Sequence, residues 1–206
     1  MQVIFSNRAY TAVMTETMEK IRTETGGLFL GTVVDDIWYI IETIDPGPNS
    51  IFTVTYFEYD QKYTEHLINK IAKLYDKPLG LIGLWHRHPG SYDVFSSTDD
   101  GTNTKFAKIR EQGAISGLVN IDPEFRFTMY HVAQPCKYKK IEYKVGDELI
   151  PPEYLKLKSP DKLKDKMYTI LNKDEIIGEL LKMNREKGEG GDNLWKRIFL
   201  EMKLKK

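Results

Sequence analysis

Apolar residues recur at helical spacing in two segments of the first half of the chain, and a third segment has the signals of a helix start. Between residues 7 and 22 they lie three and four positions apart, which predicts a first helix with Ser6 as its N-cap. Residues 58–75 repeat this spacing and predict a second helix. Residues 98–112 predict a third helix, because their first positions carry hydroxyl and acidic side chains that favour a helix start.

Short runs rich in β-branched and aromatic residues separate these helices. They predict strands over residues 28–34, 37–44, 51–55, 79–85, 114–121 and 125–133. The Asp35-Asp36 step joins the first two strands into a hairpin, and Asp122-Pro123-Glu124 forms the turn between the last two. This order of helices and strands predicts an α/β fold, a sheet layered with helices, that forms one domain over residues 1–145.

The composition changes beyond Gly146. Lysine-dense segments with weaker helical stripes follow, and they predict a helical C-terminal extension over residues 146–206. Gly188–Gly191 is expected to be a flexible joint, and the last stretch around Trp195 has an apolar face. We expect that face to pack on the same chain, with docking on a partner as the alternative.

Charge and cysteine content narrow the expected partners and compartment. Thirty basic and thirty acidic residues give a formal net charge of zero, so no nucleic acid or anionic membrane is expected as a partner. Cys136 is the single cysteine, which excludes an intramolecular disulfide and a zinc site built from several cysteines. Without an export signal or a long apolar run, we expect a cytoplasmic protein whose oligomeric state the sequence leaves open.

Candidate metal ligands follow the predicted strand 79–85. His86 and His88 are two residues apart, so their side chains leave the same face of the strand, about 7 Å apart along the backbone, while Arg87 points the other way. Asp99 follows a glycine-containing loop, in the first turn of the third helix. Two histidines and one carboxylate make a catalytic zinc set with one position left open, so we expect one Zn²⁺ per chain.

The full spacing is more specific than the histidine pair alone. His86-Arg87-His88, seven residues, Ser96, two residues and then Asp99 match the signature of the JAMM metalloproteases, the MPN-plus family of deubiquitinating-type isopeptidases. The segment from Glu24 through Gly26-Gly27 resembles the part of the family that carries the catalytic glutamate. The resemblance covers residues 1–133 and is nearest to prokaryotic-type members.

This resemblance implies a fold, a site and a substrate class. The fold would be of the JAB/MPN type, a cytidine-deaminase-like mixed sheet flanked by helices. His86, His88 and Asp99 would hold zinc, Glu24 would be the general acid and base, and Ser96 would donate a hydrogen bond to the oxyanion. Ser96 also has a simpler role as a helix N-cap.

The substrate implied is the amide after the C-terminal glycine of a ubiquitin-like or sulfur-carrier protein, with activating or conjugating enzymes as further partners. Deconjugation and precursor processing both stay open. Arg87 stands where eukaryotic members usually have Ser or Thr, a departure that bears on substrate choice and not on metal binding.

Two other function classes compete with this interpretation. A non-catalytic MPN-type scaffold would have the same fold, but it predicts missing ligands, whereas this chain has every motif position. A protein-interaction module built on the segment around Trp195 can coexist with catalysis. Zinc deaminases are excluded, because they need a pair of cysteines.

Overall fold

An eight-stranded sheet with helices on both faces forms the body of the protein in the computed structural model, which describes residues 1–159. The strands of this sheet are β1 (Gln2–Phe5), β2 (Thr25–Val34), β3 (Ile37–Ile44), β6 (Gly80–Arg87), β7 (Ala114–Asn120), β8 (Arg126–Ala133), β9 (Lys137–Ile141) and β10 (Tyr143–Val145). A separate two-stranded hairpin pairs β4 (Ile51–Phe52) with β5 (Phe57–Glu58). The helices are α1 (Asn7–Glu19), α2 (Gln61–Ala72), α3 (Ser97–Ala107) and the short α4 (Pro152–Leu155), which follows a 3-10 turn at Asp147–Leu149.

The sheet order is β10-β1-β3-β2-β6-β7-β8-β9. Strand β1 runs parallel to both β10 and β3, and β6 runs parallel to β7, while the remaining neighbours are antiparallel. The predicted α/β class is therefore confirmed, with a mixed sheet between helices. The central antiparallel pair, β2 with β6, brings the start of β2 beside the end of β6.

Two apolar layers cover the two faces of the sheet. Helix α1 packs on one face, over a cluster that includes Val3, Phe5, Phe29, Trp38, Trp85 and Ile115. Apolar residues of α2 and α3 pack on the other face, over a cluster that includes Leu28, Leu30, Ile41 and Leu84. The alternation of side chains along each strand supplies both layers, so almost every central strand residue is buried.

Most predicted elements form, with shifted ends. The Ser6 side chain caps α1 by accepting from the Ala9 amide at 3.0 Å, as predicted. The predicted strand 51–55 is instead the two-residue strand β4 and a turn. The predicted strand 79–85 extends through Arg87 as β6, because pairing with β2 and β7 continues to that residue.

Three strands of the eight-stranded sheet were not predicted, and neither was β5 of the hairpin. β1, β9 and β10 are three to five residues long, too short to show a period. β9 is an edge strand rich in lysine, a composition that protects an exposed edge but lacks the apolar signal of a strand. These strands form because the sheet offers them unpaired backbone groups.

Residues Met1–Leu157 form one unit. β10 ends at Val145, and Ile150 beyond it is buried in the apolar layer under α2. The division at residue 145 stays a prediction. Residues 160–206 lie outside the described residues, and they hold most of the predicted helical extension, including the segment around Trp195. Within residues 1–159, no helix combines the length and apolar character that crossing a bilayer requires.

Phe5 provides a test of this core. Its fully buried ring contacts those of Tyr10, Phe29, Phe127 and Tyr143 at centroid distances of 5.5 to 6.1 Å, so it joins β1 to α1 and to three other strands. We expect Phe5→Ala to lower the free energy of unfolding by about 3–5 kcal/mol in urea denaturation. Phe125→Ala, at a position that is 44% exposed, is the matched control and should change it by less than about 0.5 kcal/mol. Equal losses in both variants would contradict the description of the core.

Candidate metal centre

His86 and His88 lie where β6 ends. His86 is inside the strand, and the His88 amide just beyond it donates to the carbonyl of Val119 in β7 at 3.2 Å. Both side chains are buried, with residue exposures of 6% and 7%. Their positions two residues apart place them on the same side of the sheet as α3, as the spacing predicts.

The third candidate ligand, Asp99, meets both imidazoles. The His86 and His88 Nε2 atoms are 3.0 Å apart, and the two Asp99 oxygens lie 3.4 Å from His86 Nε2 and 3.5 Å from His88 Nε2. Ligand atoms at 2.0–2.1 Å from a tetrahedral zinc ion would be about 3.3–3.4 Å apart. Within residues 1–159 this is the one group of three such side chains whose ligand atoms converge. Distances and donor types therefore fit Zn²⁺.

The start of α3 orients the Asp99 carboxylate. Ser96 and Asp99 form a capping box, in which the Ser96 amide donates to Asp99 Oδ2 at 2.7 Å and the Asp99 amide donates to Ser96 Oγ at 3.2 Å. Burial alone would raise the pKa of Asp99, but hydrogen bonds from His86, His88 and Ser96 hold that pKa well below its usual range. Asp99 is therefore an anion at neutral pH, as a metal ligand must be.

A hydrogen bond behind His88 fixes its ring. His88 Nδ1 lies 3.1 Å from the carbonyl oxygen of Tyr92, so Nδ1–H donates to it and the Nε2 lone pair faces the other two ligands. The Tyr92 carbonyl also accepts from Asn120 Nδ2 at 2.7 Å. Asn120 ends β7 and is only 2% exposed. Sequence reasoning missed Asn120, whose only signal is an amide at the end of an apolar strand.

Glu24, the residue just before β2, reaches the same cleft. It precedes Thr25, the first residue of the strand, and Gly26 pairs with His86 in the β2–β6 ladder, so Glu24 shares the His86 face by strand alternation. Glu24 lines the cleft with His86, Ser96 and Asp99. Partial burial raises the pKa of Glu24, while the charges of His88 and His86 oppose that rise.

Gly26 is required by the close approach of the backbones at this point. A Cβ atom at Gly26 would lie 2.5 Å from the Trp85 carbonyl oxygen and 2.8 Å from the Phe57 ring. A larger residue would push β2 from β6 or from the hairpin, and the position of Glu24 would shift with it. The Gly-Gly pair after Glu24 thus has a local steric reason.

Ser96 is the N-cap of α3, and its position also leaves its hydroxyl hydrogen free for the second role that the sequence offered. Its Oγ accepts from the Asp99 amide, which makes Ser96 the N-cap of α3, while Ser97 is already inside the helix. A hydroxyl that accepts one bond can still donate its own hydrogen. Because Ser96 lines the cleft beside Glu24 and Asp99, that hydrogen is available to a ligand there. The structure therefore brings together all five site residues proposed from the sequence.

Comparisons with known proteins agree with this geometry. The model of a family described as prokaryotic homologs of the JAB domain matches residues 6–130. Among solved structures, the solution structure of protein DSY2949 from Desulfitobacterium hafniense superposes with a TM-score of 0.54 at 11% identity, covering 69% of this chain and 92% of that one. At this identity the likeness concerns the fold. No protein with a curated description matches the chain.

The role of Asn120 behind His88 is testable. Asn120→Ala removes the donor to the Tyr92 carbonyl and loosens the acceptor that orients His88, so we expect zinc affinity to fall about 10- to 100-fold, measured by competition with a chromophoric chelator. Asn69→Ala, which removes an exposed amide bond to Glu65 in α2, is the matched control and should leave affinity unchanged. Unchanged affinity in Asn120→Ala would contradict this role.

Proposed function

This chain belongs to the prokaryotic JAB-domain family, and we propose on that premise that it is a zinc-dependent peptidase or isopeptidase acting in the cytoplasm. Its substrate is the amide bond after the C-terminal glycine of a ubiquitin-like or sulfur-carrier protein. The observation that carries the proposal is the convergence of His86, His88 and Asp99, whose ligand atoms lie 3.0 to 3.5 Å apart beside Glu24.

The groups around the cleft have separate roles in the proposed hydrolysis of an amide bond. Bound zinc would supply a Lewis acid that polarises a carbonyl oxygen and acidifies water. The Glu24 carboxylate accepts a proton from the attacking water and returns it to the amine nitrogen as the C–N bond breaks. The Ser96 hydroxyl donates to the oxygen that gains charge in the tetrahedral intermediate.

The shape of the cleft supports an extended peptide as substrate. The β4–β5 hairpin forms one wall through Thr55, Tyr56 and Phe57, and α3 forms another through Thr98 and Thr102. A chain that ends in glycines has the narrow cross-section that such a cleft admits. Val54 on the hairpin and Tyr92 and Val94 on the loop before α3 are 62% to 73% exposed, so they offer apolar contacts to the folded part of a protein substrate.

The JAB-domain family includes peptidases and non-catalytic members, so the scaffold alternative needs an answer. A scaffold needs neither converging ligands nor a partly buried glutamate beside them. It also has no need for the hydrogen bond by which the Tyr92 carbonyl orients the His88 ring. All three features occur here. They favour the enzyme over the scaffold. Activating or conjugating enzymes of the same ubiquitin-like pathway are the partners that this proposal implies.

Glu24→Gln tests the proposed reaction. The probes are ubiquitin and a small sulfur-carrier protein, each extended beyond its terminal glycine by a fluorophore-labelled lysine. We expect the zinc-loaded protein to release labelled lysine from one probe, and Glu24→Gln to lower kcat by about 10²- to 10⁴-fold with zinc content unchanged, because only proton transfer is lost. Glu19→Gln, on an exposed carboxylate near the end of α1, is the control. Full activity in Glu24→Gln would contradict the role of Glu24.

Ser96→Ala separates the two functions of this hydroxyl. Loss of the N-cap should cost about 1 kcal/mol of stability, seen in urea unfolding. Loss of the oxyanion donor should lower kcat by about 10²- to 10³-fold. Ser97→Ala, one residue further into α3, is the control for both measurements. A stability loss with unchanged kcat would show that Ser96 is only a cap.

A further inference from the structure

Arg87 stands between the two histidines in sequence but on the opposite face of β6, and it is fully buried. We propose that Arg87 is the positioning residue for Glu24, because its guanidinium group holds the turn that carries this glutamate into the cleft. The inference rests on the proposed function, in which Glu24 transfers the proton. It assigns a role to the one position of the motif that neither coordinates metal nor lines the cleft.

The guanidinium group donates to three carbonyls of one turn. Arg87 Nη1 donates to the Ile21 carbonyl at 3.0 Å, and Nη2 donates to the carbonyls of Lys20 and Thr23. Helix α1 ends at Glu19, just before this turn. Carbonyls after a helix end usually bond to a left-handed glycine cap or to side chains, and residues 20–24 contain no glycine. Arg87 supplies side-chain donors instead, beside the one backbone bond within the turn, from the Thr23 amide to the Lys20 carbonyl at 3.3 Å.

One of these bonds acts directly on Glu24. The Thr23 carbonyl and the Glu24 amide belong to the same peptide unit, which is planar. Arg87 binds the carbonyl end of this unit, and the Glu24 amide donates to the Thr53 carbonyl in the hairpin at 2.7 Å. Fixing both polar ends fixes the plane, and the plane sets the direction in which Glu24 projects. Glu24 is thereby attached to the strand that carries His86.

Arg87 places a cationic group inside the protein. No carboxylate lies within 4.0 Å of its guanidinium group among the described residues, so backbone carbonyls solvate this buried cation. Burial lowers the pKa of Arg87, while the charges of Glu16 and Glu24 oppose that shift. Glu16 in α1 accepts from Thr25 Oγ1 at 2.5 Å, which ties the neighbouring residue of β2 to the same face.

A lysine cannot reproduce this arrangement. Arg presents five donors in a planar fork, whereas Lys presents three from one nitrogen atom and is a compact, strongly hydrated charge. Arg87→Lys therefore keeps the charge but loses the simultaneous bonds to carbonyls at both ends of the turn. This makes it the variant of choice, since it tests geometry with little change in electrostatics.

The first measurement needs no substrate. We expect Arg87→Lys to speed hydrogen exchange of the Glu24 backbone amide by at least about tenfold in the full-length protein, followed by NMR, because one end of its peptide unit is released. The amides in the β2–β6 ladder and the zinc content should stay unchanged. Arg110→Lys, which alters a guanidinium bond to the Leu81 carbonyl near the other end of β6, is the matched control. Unchanged exchange at Glu24 would overturn the proposal.

The second measurement uses the labelled conjugates described above. Arg87→Lys should lower kcat about 10- to 100-fold with KM within about threefold, as expected when a catalytic group is misplaced by about 1 Å. Loss of zinc together with activity would overturn the proposal, because Arg87 would then act on the metal site. Arg87→Gln, which keeps one amide donor, repeats both measurements if the lysine variant does not fold.

A double variant distinguishes this inference from the proposed function. If Arg87 acts through Glu24, Arg87→Lys should lower the residual kcat of Glu24→Asp by less than about twofold, since the shorter carboxylate is already misplaced. Additive losses would overturn the positioning role and leave the proposed function intact. Full activity in Glu24→Gln would instead refute the proposed function, whatever Arg87→Lys shows.

Discussion

The alternation of side chains at the end of β6 is the constraint on which the site depends. His86 and His88 leave one face of the strand and meet Asp99, while Arg87 leaves the other face and meets the turn after α1. One short stretch of backbone therefore places two candidate metal ligands and, in the role proposed for Arg87, anchors the candidate general base. Pairing of β2 with β6 completes the geometry, because it sets Glu24 beside His86 without any flexible connection.

The capping box at the start of α3 also positions a side chain of the site. A carboxylate at this position is held by the backbone amide of Ser96, and the same bond orients it toward the two imidazoles. Asp99 is thus both a helix-stabilising residue and a candidate ligand, and Ser96 is both a cap and a candidate donor. The hydrogen bonds that hold the polar groups of the cleft in place are therefore the same bonds that stabilise the start of α3.

The sequence predicted the parts of this arrangement that appear as a local residue pattern or as a motif of fixed spacing. The helical and strand periods predicted the α/β order, and the His-x-His pair with Ser96 and Asp99 predicted a metal cluster that the structure brings together. What it missed depends on long-range contacts. Asn120 donates to the carbonyl of Tyr92, and Arg87 donates to carbonyls more than sixty positions earlier, so neither contact leaves a local pattern. The edge strands β9 and β10 were missed for a similar reason, since only their neighbours in the sheet define them.

The central claim is that two imidazoles and one carboxylate hold a single zinc ion, and zinc K-edge X-ray absorption of the purified, zinc-loaded protein tests it most directly. The account predicts one ion per chain with only nitrogen and oxygen neighbours at about 2.0–2.1 Å and an imidazole scattering pattern from two histidines. A protein that takes up no stoichiometric zinc, or a spectrum that shows a sulfur neighbour at about 2.3 Å, would contradict it.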